Sequence, residues 1–206
     1  MRSVVTALAL STAAVLVTGP ATASPAGATA LTWTVAPGGA VMAKAGTTRL
    51  TDTKVSSVLS CKSSDMSGTL RSGRGLAGTG IGSVGTASYR CLTPVGTPRL
   101  TPGGLPWRLN LASYDAGTGV SRGTISGVRL VLSYTDCTAV VSGASATTGG
   151  RVPVSYANKT GTLKLLSGGT LHWYRVHGCA GLLGDGDPAS LTASYALTPK
   201  QVITGS

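Results

Sequence analysis

The sequence predicts an all-β protein, an antiparallel β-sandwich or Greek-key barrel stapled by two disulfides. Three observations carry that reading. Apolar and polar residues alternate in short stretches that recur along the chain, the period of a half-buried strand. Glycine is abundant at 30 residues, phenylalanine is absent, and past the first thirty residues no segment sustains helical periodicity over three turns. The four cysteines, Cys61, Cys91, Cys137 and Cys179, stand thirty or more residues apart, a spacing that suits cross-links between strands and not a compact metal site.

The elements follow in chain order. Met1, Arg2 and Ser3 precede an uncharged apolar run of 14 residues, Val4 to Val17. A charged start with an apolar core too short to span a bilayer reads as an export signal. Small-residue triplets at Ala21-Thr22-Ala23, Ala26-Gly27-Ala28 and Ala28-Thr29-Ala30 place cleavage between residues 23 and 30. We take residues 1–28 as the signal and 29–206 as a single β domain. No cysteine follows the run and no second apolar span precedes the final QVITGS. The expected product is therefore a secreted chain, extracellular or cell-wall associated, with no transmembrane anchor.

LTWTV puts Leu31, Trp33 and Val35 on one strand face. RSGRGLAGTGIGSVG, residues 71–85, then reads Gly-x-Gly-x-x-Gly twice, at Gly73, Gly75 and Gly78 and at Gly80, Gly82 and Gly85. In a dinucleotide site such glycines open a helix whose first amides hold the pyrophosphate. Here only VGTASYRC follows, with no helix-forming run, so a bulged strand or close-packed hairpin is expected. LPWRLNL aligns Leu105, Trp107, Leu109 and Leu111; VRLVLSY aligns Val128, Leu130, Leu132 and Tyr134; VPVSY aligns Val152, Val154 and Tyr156; LTASYAL aligns Leu191, Ala193, Tyr195 and Leu197. Pro-Gly-Gly at 37–39 and 102–104, Asp115-Ala116-Gly117, Asn158-Lys159-Thr160-Gly161 and Asp185-Gly186-Asp187-Pro188 are the turn signals between them.

SGTLRSG at 67–73, leading through Tyr89-Arg90 to Cys91, is echoed by TGTLKLLSGG at 160–169, leading through Tyr174-Arg175 to Cys179. The domain is thus open to a reading as two related halves. Among the three possible connectivities, Cys61–Cys91 with Cys137–Cys179 staples one echoed segment each, and each closed loop contributes about 3 to 4 kcal/mol in the chain-entropy model.

Catalytic chemistry is poorly supplied. No Gly-x-Ser-x-Gly elbow occurs, and the two histidines, His172 and His177, are expected on opposite faces of one strand, so at most one serves a given site. Glutamate is absent, and the six aspartates sit mostly in turn-like sequence. Asp185-Gly186-Asp187 has too few neighbouring oxygen ligands for a calcium loop. No catalytic residue, metal or cofactor is assigned. For binding, Trp107, His172, Trp173 and Tyr174 are the interface candidates, because large amphipathic rings anchor ligands well.

Seventeen Lys and Arg against six acids give a formal net charge of +11. The bases are spread along the chain and make no run, which argues against nucleic acid and for anionic cell-envelope polymers as neighbours.

Taken together, a Cys, an S-G-T-L strand, a second Cys, GLPWRLN at 104–110, GTISGVRL at 123–130, a third Cys, YANKTGTLKL at 156–165, HGCAGLL and a final ASYALTPKQ resemble the small exported β proteins of high-GC Gram-positive bacteria. More distantly they are similar to the secreted alkane-oxidation protein activators of the PraB type. The resemblance implies a non-enzymatic extracellular protein associated with cell surfaces or with the dispersal of hydrophobic substrates. The leading expectation is a non-catalytic secreted protein acting at the cell surface or an apolar interface. The alternative is a self-associating fibre or coat subunit that donates LTWTV as an edge strand. A hydrolase using Ser and His177 is the third reading.

Overall fold

The computed structural model describes residues 31–93 and 96–206; the export signal expected over residues 1–28 lies outside them. The described strands are β1 Thr32–Ala36, β2 Gly39–Ala45, β3 Thr48–Asp52, β4 Ser57–Leu70, β5 Gly73–Ala77, β6 Gly82–Cys91, β7 Arg99–Gly103, β8 Trp107–Asp115, β9 Val120–Tyr134, β10 Cys137–Ser142, β11 Gly150–Ala157, β12 Thr162–Leu165, β13 Leu171–His177, β14 Pro188–Thr198 and β15 Val202–Gly205. No described residue is helical. The glycine-rich stretch is strand, turn and strand, so it has no helix N-terminus to offer a phosphate.

Several strands run end to end. β2 and β3 both pair with β14 on one side and β4 on the other, interrupted only around Gly46 and Thr47. β7 and β8 succeed one another along β9, β10 and β11 run along its other edge, and β12 and β13 run along β14. Eight long antiparallel strands result, each beside its sequence neighbour, and β14 returns to β2 to close a ring. The all-β antiparallel class and both disulfides stand as expected, and the strand order is up-and-down. Pro102-Gly103-Gly104 is a bend inside a long strand, not a turn between two.

One end of the ring, the base, is crossed by a three-stranded sheet in the order β15-β1-β5. Its Trp33, Val35 and Ile203 are buried to 1% exposure. Gly78 permits this closure, since a Cβ there would meet the Leu111 carbonyl and the Trp33 indole. Gln201, fully buried, ties the sheet to the barrel: its side chain accepts from Gly38 N and donates to the Pro199 carbonyl, while its backbone exchanges bonds with the Tyr156 hydroxyl. Thr32 and Ser206 exchange backbone hydrogen bonds of 2.9 Å, so the first and last described strands lie side by side. LTWTV is therefore no free edge. β1 is hydrogen-bonded on one side by β15 and on the other by β5, which corrects the expectation of a donor strand.

Alternation sends Trp107, Leu109, Leu111, Ile125, Leu130, Val152, Val154 and Leu191 into the core. Arg108, Arg122, Arg151 and Lys164 alternate with them and are exposed. An apolar inside and a charged outside are the reverse of a lipid-spanning barrel. No described helix is long and apolar enough to cross a membrane.

Cys61 and Cys91 face one another directly across β4 and β6 and are bonded inside the barrel. Cys137, opening β10, is bonded to Cys179 in the loop between β13 and β14. Two disulfides are what an oxidising compartment permits. The echoed segments occupy different places: residues 67–70 and 89–91 lie on the paired strands β4 and β6, whereas residues 162–165 and 174–175 lie on the successive strands β12 and β13.

Candidate functional site

At the end of the ring opposite the base, the strands stop before their inward side chains are covered. Leu50 of β3, Leu59 of β4, Leu132 of β9 and Trp173 of β13 line a cleft of about 250 Å³ there, with Val58, Tyr134, Pro98 and Cys137 around them. Leu182 and Leu183 come over it from the loop after β13. Leu50 and Trp173 are 1% exposed, whereas Val58 and Leu182 are 48% and 62% exposed. A buried apolar floor thus meets an apolar rim left open to solvent, the arrangement found where β-barrels take ligands at their mouths.

The rim loop is held by several independent contacts. The Cys137–Cys179 bond fixes its start. Asp52, fully buried, accepts from Lys54 N at 3.0 Å and Val55 N at 3.2 Å through Oδ1, and from Gly184 N at 3.2 Å through Oδ2. One carboxylate therefore shapes the β3–β4 turn and clamps the loop to it. Lys54 Nζ lies 2.9 Å from Asp187 Oδ1; the hydrogen bond with Asp187, and then its charge, raises the Lys54 pKa. Trp173 exchanges backbone bonds with the returning loop, accepting from Gly186 N and donating to the Asp187 carbonyl. Asp185 accepts from Val176 N. Asp185-Gly186-Asp187 is thus a turn stitched to its neighbours, and among the described residues no three His, Cys, Asp or Glu side chains converge as a metal site would require.

A polar layer lies inside the barrel. Thr48 and Ser64 hydroxyls are 2.6 Å apart, and Ser64 donates to the Tyr195 hydroxyl at 2.8 Å. The nearby Tyr89 hydroxyl is buried with no partner among the described residues. Burial, and then the neighbouring Tyr195, pushes the Tyr89 phenol well above its ordinary value; burial likewise raises Tyr195 and Tyr156.

The four interface candidates are not brought together. Trp107 is in the core, its indole N–H donating to the Gly103 carbonyl at 2.9 Å across the bend between β7 and β8. Trp173 forms part of the cleft floor. His172 and Tyr174 alternate with it and take the outer face, their ring centroids 6.4 Å apart, with the Tyr174 hydroxyl donating to the Gly143 carbonyl. The expectation that His172 and His177 face opposite ways fails. Arg175 adopts a positive φ of 52° at a bulge in the β10–β13 ladder, so Val176 packs inward after Leu171 and Trp173, and His177 follows His172 to the outside. Of the cleft lining, strand alternation aligns Leu132 and Tyr134, whereas Leu50, Leu59 and Asp52 are not singled out by sequence pattern; for the rim the available signal is an apolar pair, Leu182-Leu183, inside a glycine-rich loop beside a cysteine.

No family model, no curated protein and no solved structure matches this chain.

Proposed function

We propose that the chain is a non-catalytic extracellular protein that engages apolar molecules, at the cell surface or at an apolar interface, through the open mouth of its barrel. The cleft lined by Leu50, Leu59, Leu132, Trp173 and Leu182 carries this reading. Its volume falls just under the roughly 300 to 1,000 Å³ of ordinary ligand pockets, which favours a short chain or a single ring. The rim leucine and valine extend the apolar surface outward, so the end of a longer chain held in a droplet or a surface layer is also a suitable occupant.

Straight-chain alcohols of increasing length provide the test, with Trp173 fluorescence as the reporter and Trp173→Phe as the check on its origin. Each methylene that enters the cleft contributes about 0.8 kcal/mol, or about fourfold in affinity, until the cleft is filled. The expected series rises and then flattens, and Leu182→Asp or Val58→Asp at the rim lowers it throughout. Absence of saturable binding, or a series indifferent to both rim substitutions, overturns the proposal.

A further inference from the structure

The outer wall formed by β8, β9, β11 and β12 carries a second surface, independent of the mouth. Arg108 and Arg151 both stand opposite Ser126, one on each side of β9. Four residues along β9, Arg122 stands opposite Ser155, which stands opposite Lys164. Neighbouring strands are about 4.8 Å apart and residues about 3.4 Å along a strand, so each flanking pair is about 10 Å apart and the two rows about 14 Å apart. All four cations are exposed. Their charged ends make no ion pair or hydrogen bond among the described residues, where Lys54–Asp187 is the salt bridge that forms. Between them lie Asn110, Thr124, Ser126, Pro153 and Ser155, with Ser113 beside Arg122. Asp115 adjoins the lower corner, its Oδ1 accepting from Gly117 N and Thr118 N.

This convex array of cations, separated by small, mostly polar side chains and with Asp115 as the one carboxylate at its corner beside Arg122, fits an extended anionic chain laid over it. Three of the four are arginines, whose planar forks match phosphate and carboxylate oxygens. An anionic membrane is a poorer match, because peripheral membrane binding needs large apolar side chains to insert, and the apolar groups of this face are the half-buried Pro153 opposite Thr124 and Leu166 at its edge. Single-stranded nucleic acid is poorer too, for want of exposed aromatic rings on which bases stack. We infer that this wall docks a linear anionic polymer, gripping its oxyanions through Arg108, Arg122, Arg151 and Lys164.

Long-chain inorganic polyphosphate is the probe, titrated against the full chain at about 0.15 M salt, near a Debye length of 8 Å. One variant carries Arg108→Ser, Arg122→Ser, Arg151→Ser and Lys164→Ser. A control of equal net charge carries Lys44→Ser, Lys62→Ser, Arg71→Ser and Arg90→Ser, which are exposed on other parts of the barrel. All eight sites are exposed, and matching thermal unfolding with wild type confirms that both variants fold. The expected result is a loss of about tenfold or more for the wall variant, a salt dependence shallower by up to about three to four counterions, and less than about threefold for the control. Equal losses in the two variants would mean that net charge alone acts, and would overturn the inference. So would failure of wild type to bind polyphosphate, or tighter binding at equal charge to anionic vesicles or to a single-stranded oligonucleotide. None of these results depends on the mouth cleft.

Discussion

Removing the two disulfides one at a time separates stability from ligand binding. Their sequence separations are 30 for Cys61–Cys91 and 42 for Cys137–Cys179. Loop closure in the unfolded chain gives about 3.6 and about 3.9 kcal/mol respectively, because the term grows only with the logarithm of loop length. Cys61→Ala/Cys91→Ala and Cys137→Ala/Cys179→Ala should therefore shift urea midpoints by similar amounts. Their effects on the mouth should differ. Cys61 and Cys91 join strands already laddered together, whereas Cys179 starts the loop that brings Leu182 and Leu183 over the cleft. Loosening that loop should weaken alcohol binding by about tenfold, the order of one leucine's burial. The loss should be partial, since Asp52 still holds Gly184 and Lys54 still reaches Asp187. Stability comes from urea titration and affinity from Trp173 fluorescence without denaturant. Equal loss of affinity in the two double variants, or none in Cys137→Ala/Cys179→Ala, would refute the assignment of the loop as a cleft wall.

Further expectations concern the polar interior. Tyr89→Phe removes a buried hydroxyl that has no partner and should leave stability unchanged or raise it by about 1 kcal/mol, whereas Tyr195→Phe strips Ser64 of its acceptor and should cost about 1 kcal/mol, both read from urea midpoints. Because burial raises the phenols of Tyr89, Tyr195 and Tyr156, the unfolded chain releases their protons first. Stability from these groups is full below the unfolded value of about 10 and falls as pH rises above it. Denaturation at about pH 9 and about pH 11 tests this, and a lower midpoint is expected at the higher pH. Asp52→Ala leaves three amides without their acceptor and should cost about 2 kcal/mol, with looser alcohol binding as a second readout.

The strands were legible wherever one face is buried and the other wet. Trp107, Leu109 and Leu111 alternate with Arg108 and Asn110, and the barrel wall uses them that way. Val152, Val154 and Tyr156 do the same. Both cysteine pairings match the connectivity favoured from sequence, although the echo that favoured it has no structural counterpart; Cys61–Cys91 forms because the two cysteines lie opposite one another on neighbouring strands. Ring closure was not, because it joins residues 42–45 to 195–198, and alternation records which face is buried without recording the partner. Local rules also failed at bulges. One extra residue at Arg175 reversed the side taken by His177, and the bend after Gly103 joined two strands that turn signals had separated. The cleft was hidden for a related reason: its rim leucines lie in an irregular loop with no period to read.

The side-by-side pairing of Thr32 with Ser206 at the base brings the first and last described strands together. A short linker joining them would leave every ladder of the ring in place, and the backbone could instead be opened at the turn after Asp115 or the one after Ala157. Such circular permutants should keep the mouth intact while placing a fused partner on either side of the base, so that cargo can be attached without obstructing the open end.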